Sequence, residues 1–363
     1  MTANHGTGLT DSMRSVLDGA SLTEAEAEAA LERLASGSLD PAAAGAFLAA
    51  LKLKGETSDE IRGFARGMRR LAIRPVIVEA VRKRAVDVVG TGGDGSGSLN
   101  LSTGSALLAA AAGVPIVKHG NRSITSRSGS ADVLERLGLP MPLDPDAAGR
   151  CLEQTGFTFL FAPRFHPAMK HVAPVRRALG VRTIFNLLGP LTNPAAPPYH
   201  VVGAWAEDVA ARMADVLSGL PIVRAFVVHG EPGWDEATPC GPFTLFDVEP
   251  GRVRREIRDP VDLGLARCAP DALLGGDAED NARALRAALG GARGAHRDAL
   301  ALGAALALEV SGTARNAAGA LEAAKRAIDD GSAARLLDRL SAFGASGTNP
   351  TAGTLSAGAA TRG

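Results

Sequence analysis

The chain has 363 residues carrying 39 basic and 39 acidic side chains, so its formal net charge is zero. That balance excludes a bulk electrostatic nucleic-acid binder, which needs a clear basic excess, and the length suits about two domains at roughly 150 residues each. Hydrophobic residues at 46% suffice for a sizeable core, while 43 Gly and 21 Pro exceed the roughly 12% share of an ordinary chain, so glycine must serve flexible tails or tight backbone turns.

Residues 1–10 and 344–363 are rich in Gly, Ser, Thr and Ala and are expected to be disordered tails. From 11 to 83 the pattern is helical. Thr23-x-x-Glu26 is a capping box, Asp40-Pro41 places an N-cap before a first-turn proline, and Thr57-x-x-Glu60 repeats the box. After it Ile61, Phe64, Met68 and Leu71 share one helical face, and no strand pattern precedes Pro75.

At Ala85 the pattern changes. Strands are expected at 86–89, 115–118, 158–161, 199–204 and 225–230. Helices are expected at 103–113, 130–138, 206–219, 279–289, 297–310, 315–329 and 333–341. Strand–loop–helix–strand order implies parallel pairing. The expected fold class is α/β: a small all-helical lobe (11–83, joined by the helical, loop-rich segment 166–193) and a larger lobe (84–343) with a mostly parallel central sheet. A substrate cleft is expected between them. Cys151, Cys240 and Cys268 show no CxxC spacing, so neither a disulfide framework nor a zinc cage is supported. The N-terminal MTANHGTGLT lacks signal-peptide character, and the uncharged stretch 99–117 is broken by Gly104, Gly113 and Pro115, so a cytoplasmic protein without a membrane span is expected.

Gly90-Thr91-Gly92-Gly93-Asp94-Gly95-Ser96-Gly97-Ser98 places five glycines in nine residues between a strand and a helix. Such a loop brings backbone N–H groups against a phosphate, and the next helix N-terminus favours an anion; a merely tight turn is the alternative. Asp94 would repel a phosphate unless a cation lies between, which points to Mg²⁺ and a phosphorylated substrate. The loop fits neither GxGxxG with a distant acid nor GxxxxGK[ST]. The next strand runs into Lys118-His119-Gly120-Asn121-Arg122-Ser123-Ile124-Thr125-Ser126-Arg127-Ser128-Gly129-Ser130, which leaves the same sheet edge and suits a highly anionic ligand. Asp235-Glu236 follows a later strand and becomes a metal candidate beside Asp94. One of Arg176-Arg177 can hold a planar carboxylate, with a solvent-facing Arg pair as the alternative. Arg82-Lys83-Arg84 and the stretch Arg252 to Arg258 read as solvated faces, and His166, His171 and His200 show no metal-ligand spacing.

DVVGTGGDGSGSLNLST, KHGNRSITSRSGSADVLERLG, HPAMKHVAPVRRALGVRTIFNLLGPLTNP and HGEPGWDEATP, in this order and spacing, closely resemble the anthranilate phosphoribosyltransferase family over residues 12–340. The resemblance implies a helical lobe, an α/β lobe, a homodimer through the helical lobe, and transfer of phosphoribose from phosphoribosyl pyrophosphate to the amine of anthranilate. Carried over by motif, Gly90, Gly93, Asp94, Ser98, Asn100, Leu101, Ser102 and Thr103 would contact phosphoribosyl pyrophosphate. So would Lys118, His119, Gly120, Asn121, Arg122, Ser123, Ile124, Thr125, Ser126 and Ser130. The resemblance places Mg²⁺ at Ser102, Asp235 and Glu236, and anthranilate at Gly90, Asn121 and Arg176. Trp234, where smaller aliphatics are common, and Ile124-Thr125, in place of a run of smaller residues, depart from the family pattern. A pyrimidine nucleoside phosphorylase shares this loop type and is the nearest alternative; a non-catalytic nucleic-acid-binding relative is the other.

Overall fold

The computed structural model describes residues 9–123 and 127–347, so most of both expected tails lies outside the described residues. One boundary is corrected. The last helix, Ser332–Gly347, continues past 344, because Gly344 seats against the Gly138 carbonyl where a Cβ would lie only 2.2 Å away.

Both capping boxes form. Thr23 accepts from the Glu26 N–H while the Glu26 carboxylate accepts from the Thr23 N–H, and Thr57 and Glu60 repeat the exchange. Helices Glu24–Ser36 and Ser58–Leu71 cross closely because glycine faces the contact: a Cβ on Gly63 would lie 2.2 Å from the Glu24 carbonyl. Phe47, Phe64, Leu51 and Ile61 fill this lobe with no exposure, and Val172, Val175, Phe185 and Leu188 of segment 166–193 join the same core. That core continues to Val202 and Val227 on one face of the sheet. Val201 and Phe226, one residue away on the same strands, point to the opposite face and a second core built on helices Leu101–Ala111 and Ala295–Val310.

The sheet has seven strands: β1 (Val86–Gly90), β2 (Ile116–Gly120), β3 (Phe157–Phe161), β4 (Tyr199–Gly203), β5 (Arg224–Gly230), β6 (Phe243–Glu249) and β7 (Arg252–Arg258), in the order β3-β2-β1-β4-β5-β6-β7. The first five are parallel, and β6 and β7 add an antiparallel hairpin at one edge. The stretch from Arg252 to Arg258 is therefore an edge strand, although its side chains are largely exposed as a solvated face would be. Its arginines pair with Glu249, Asp247, Glu207 and Glu309, a charged edge that resists pairing with another chain. Helix Pro145–Thr155, capped by Asp144, is likewise absent from the sequence expectation.

From β1 the chain winds outward to β2 and β3, then returns to the other side of β1 for β4 and β5. The winding reverses between β1 and β4, where Gly90 pairs with Gly203, and a crevice opens there beyond the strand ends.

Candidate active site

The glycine loop leaves β1 at this switch point, and the loop after β5 crosses back over it. Asp235 lies directly on the two strand ends. A Cβ on Gly90 would lie 2.4 Å from its Oδ2, and one on Gly203 only 1.5 Å from its carbonyl oxygen. Asp235 Oδ2 accepts from the Gly92 N–H (2.6 Å), and the Asp235 N–H donates to Asp94 Oδ2 (3.3 Å). Asp94 Oδ1 accepts from the N–H and hydroxyl of Ser96, whose hydroxyl also meets Ser98. The glycine excess has its cause here, since Gly92, Gly93, Gly95 and Gly97 all adopt φ between +64° and +74°. Gly203→Ala overlaps backbone that cannot swing aside and is expected to cost at least ~3 kcal/mol. A wild-type thermal midpoint in that variant, measured by circular dichroism, would contradict the close approach.

Around the corner, the Ser102 N–H at the start of helix Leu101–Ala111 donates to Glu236 Oε1 (2.8 Å), while Glu236 Oε2 is sealed from solvent without a partner. Buried Lys118 donates to the Val88 carbonyl and to the Ser102 hydroxyl (3.3 Å). Burial and the neighbouring Asp94 push Asp235 up to about 7. Burial, then Asp235 and Asp94, drive Glu236 well above the carboxylate range, against the pull of the Ser102 N–H and Lys118. Burial lowers Lys118 to about 8. Two crowded acids and an orphaned carboxylate oxygen are a donor set that fits a hard dication. Among the described residues no three His, Cys or acid side chains form a complete metal cage.

Asn100 links the glycine loop to the basic loop: its amide donates to the Ser128 carbonyl (3.1 Å) and its oxygen accepts from Asn281 (2.8 Å). Leu101 and Thr103 are buried in the helix, and the Thr103 hydroxyl has no partner, so Leu101 offers a ligand only its backbone. Gly120 ends β2 and the exposed Asn121 follows it, with its Oδ1 on the Arg122 N–H. Ser130 opens helix Ser130–Arg136.

Two members of the basic loop already have partners within the protein. His119 is buried, its Nδ1 against the Gly189 carbonyl and its ring edge-on to His166, and burial lowers it to about 3, so it stays neutral. Arg122 is not a free cation. Helix Ser130–Arg136 brings Asp132 and Glu135 to its guanidinium, and Asp132 also accepts from the N–H groups of Ser123 and Gly129. Ile124, Thr125 and Ser126 lie outside the described residues.

Arg176 and Arg177 separate clearly. Arg177 is exposed, whereas Arg176 is half-buried over the Phe185 ring (5.3 Å) and has no ion-pair partner among the described residues. Burial alone lowers its pKa. A partly desolvated guanidinium without a carboxylate is a receptor for one. Sequence reasoning misses Asp87 and Asn193 beneath the crevice. Buried Asp87 accepts from the His119 N–H (3.2 Å) and the Asn193 amide (2.8 Å), tying β1 to β2 and to segment 166–193, and burial raises it to about 6.

Comparison with known proteins shows two family matches: the α/β domain of a glycosyl transferase family over residues 82–334, and the helical bundle domain of a glycosyl transferase family over residues 2–72. The anthranilate phosphoribosyltransferase of Methylobacterium radiotolerans is 50% identical over 325 residues, 90% of this chain and 93% of that one. That of Desulforudis audaxviator is 46% identical over 333 residues, 92% and 95% of the two chains. Among solved structures, the Thermus thermophilus anthranilate phosphoribosyltransferase superposes with a TM-score of 0.86 at 44% identity, covering 92% of this chain and 99% of that one. The Saccharomyces cerevisiae enzyme in complex with PRPP and Mg superposes with a TM-score of 0.84 at 26% identity, covering 93% and 98%.

Proposed function

This chain belongs to the anthranilate phosphoribosyltransferase family and transfers phosphoribose from phosphoribosyl pyrophosphate to the amino group of anthranilate, a step of tryptophan biosynthesis; we propose that the switch-point crevice is where it does so. The observation that carries this reading is the meeting, at the ends of β1 and β4, of a phosphate-type glycine loop with the buried pair Asp235-Glu236. A phosphorylase working on inorganic phosphate would not need that acid pair.

The N–H groups of the glycine loop, with the side chains of Ser98, Asn100 and Ser102, receive the pyrophosphate. Lys118 and the backbone of loop 118–130 hold the remaining anionic groups. Ser102, Asp235 and Glu236 would hold Mg²⁺, which when bound neutralises charge on the pyrophosphate leaving group. Arg176 takes the anthranilate carboxylate, and Gly90 and Asn121 face its ring and amine. Loss of pyrophosphate gives the anomeric carbon oxocarbenium character, as in glycoside cleavage. The neutral amine needs alignment rather than deprotonation before attack, so holding it in place supplies much of the rate, and no general base is assigned. The test is the loss of anthranilate fluorescence with phosphoribosyl pyrophosphate and Mg²⁺. Loss is expected only with both present, and loss without phosphoribosyl pyrophosphate, or none with all components, overturns the reading.

No helix among the described residues is long and apolar enough to cross a membrane. The three cysteines are free, with the Cys240 and Cys268 sulfurs 3.7 Å apart; a cysteine set without paired CxxC spacing supports a cytoplasmic setting. Helices Leu9–Leu17 and Pro41–Lys54 pack together and leave Leu17 66% and Leu53 89% exposed, supporting a homodimer through the helical lobe. Leu53→Glu is expected to halve the mass seen by light scattering; an unchanged mass argues against this face.

A further inference from the structure

Gly93 sits in the glycine loop at φ +74°, and its carbonyl accepts a hydrogen bond from the Arg182 guanidinium. The same guanidinium lies over the Trp205 ring, 4.3 Å from its centroid. A Cβ on Gly93 would come within 2.7 Å of that head group, so the loop is glycine where Arg182 presses on it. Arg182 belongs to the segment that also carries Arg176, and Trp205 follows the end of β4. Two elements outside the loop thus converge on one of its carbonyls, and Arg182 has no ion-pair partner among the described residues.

In a trans peptide the C=O and the following N–H point in opposite directions. Fixing the Gly93 carbonyl on Arg182 therefore aims the Asp94 N–H away from Arg182. A loop with four glycines at positive φ has many other conformations open to it, and an anchor that removes them lowers the ordering cost of binding. Stacking on Trp205 holds the guanidinium in one orientation. On the reading of the preceding subsection, we propose that Arg182, seated on Trp205, is a positioning residue for phosphoribosyl pyrophosphate: it sets the peptide plane of the loop whose N–H groups receive the pyrophosphate.

The test measures phosphoribosyl pyrophosphate binding by calorimetry with Mg²⁺ and without anthranilate, alongside both KM values. Arg182→Ala is expected to weaken phosphoribosyl pyrophosphate about ten-fold in both Kd and KM, equivalent to ~1.4 kcal/mol, and to leave the anthranilate KM within about two-fold. Trp205→Leu should give a smaller loss of the same kind, Trp205→Tyr should stay near wild type, and Arg182→Lys should fall between Arg182→Ala and wild type. An unchanged phosphoribosyl pyrophosphate Kd in Arg182→Ala overturns the proposal, as does an equal rise of both KM values. A loss in Arg182→Ala with none in Trp205→Leu also overturns it, because Arg182 would then touch the ligand itself. A wild-type protein without transferase activity would instead defeat the functional reading, and the calorimetry keeps the two failures apart.

Discussion

Replacing Arg176 with alanine is expected to raise the anthranilate KM about a hundred-fold while the phosphoribosyl pyrophosphate KM moves less than about two-fold. The size follows from what the guanidinium lacks. It is half-buried over Phe185, lowered by burial, and faces no carboxylate among the described residues, so part of its desolvation is already met before anthranilate arrives. Two parallel charge-assisted hydrogen bonds to a planar carboxylate are then gained with little ordering cost. Arg176→Lys should recover only part of the loss, because an ammonium cannot form the bidentate pair. Arg177→Ala, on the exposed side of the same helix, should leave both KM values near wild type. Steady-state kinetics with each substrate varied in turn decides the matter, and equal losses for both substrates would remove Arg176 from the carboxylate site.

What could be read from the chain and what could not divide along sequence distance. The capping boxes at Thr23 and Thr57, the strand of β1 and the glycine loop are local patterns, and local physics forms them. The acid pair was visible too, because two carboxylates beside a phosphate-type loop are costly without a cation. The hairpin β6–β7 was hidden for opposite reasons on its two strands. FTLFDVE is buried on both faces and RVRREIR is largely exposed on both, so neither shows the period-two alternation of a half-buried strand. Arg122 looked like a free cation because Asp132 and Glu135 come to it only once helix Ser130–Arg136 folds back. Asp87, Asn193, Arg182 and Trp205 act through contacts made across large stretches of chain, which no window of sequence contains.

Asp235→Asn combined with Glu236→Gln is expected to lower kcat by about a hundred- to a thousand-fold at low millimolar Mg²⁺ and to raise the Mg²⁺ concentration needed for half-activity. The amide isosteres still accept from the Gly92 and Ser102 N–H groups, so the fold survives and the change isolates the charge. Protons and the dication compete for the same oxygens. In the folded protein Asp235 titrates near 7 and Glu236 well above its usual range, against roughly 4 in the unfolded chain. Between about pH 4 and 7 the folded state therefore binds more protons than the unfolded state, and without metal the stability contributed by these acids falls as pH rises through that window. Mg²⁺ binds the ionised pair, so the rise in Tm on adding Mg²⁺ should grow from about pH 5.5 to 8 in the wild type and stay small and flat in the double variant. Asp87, raised to about 6, and the buried His119, His166 and His200, lowered to between about 3 and 4, titrate alike in both proteins and cancel in the comparison. A Tm increment with the same pH dependence in both proteins would mean that the dication is held elsewhere, and the paired carboxylates would then be left without a reason for their burial.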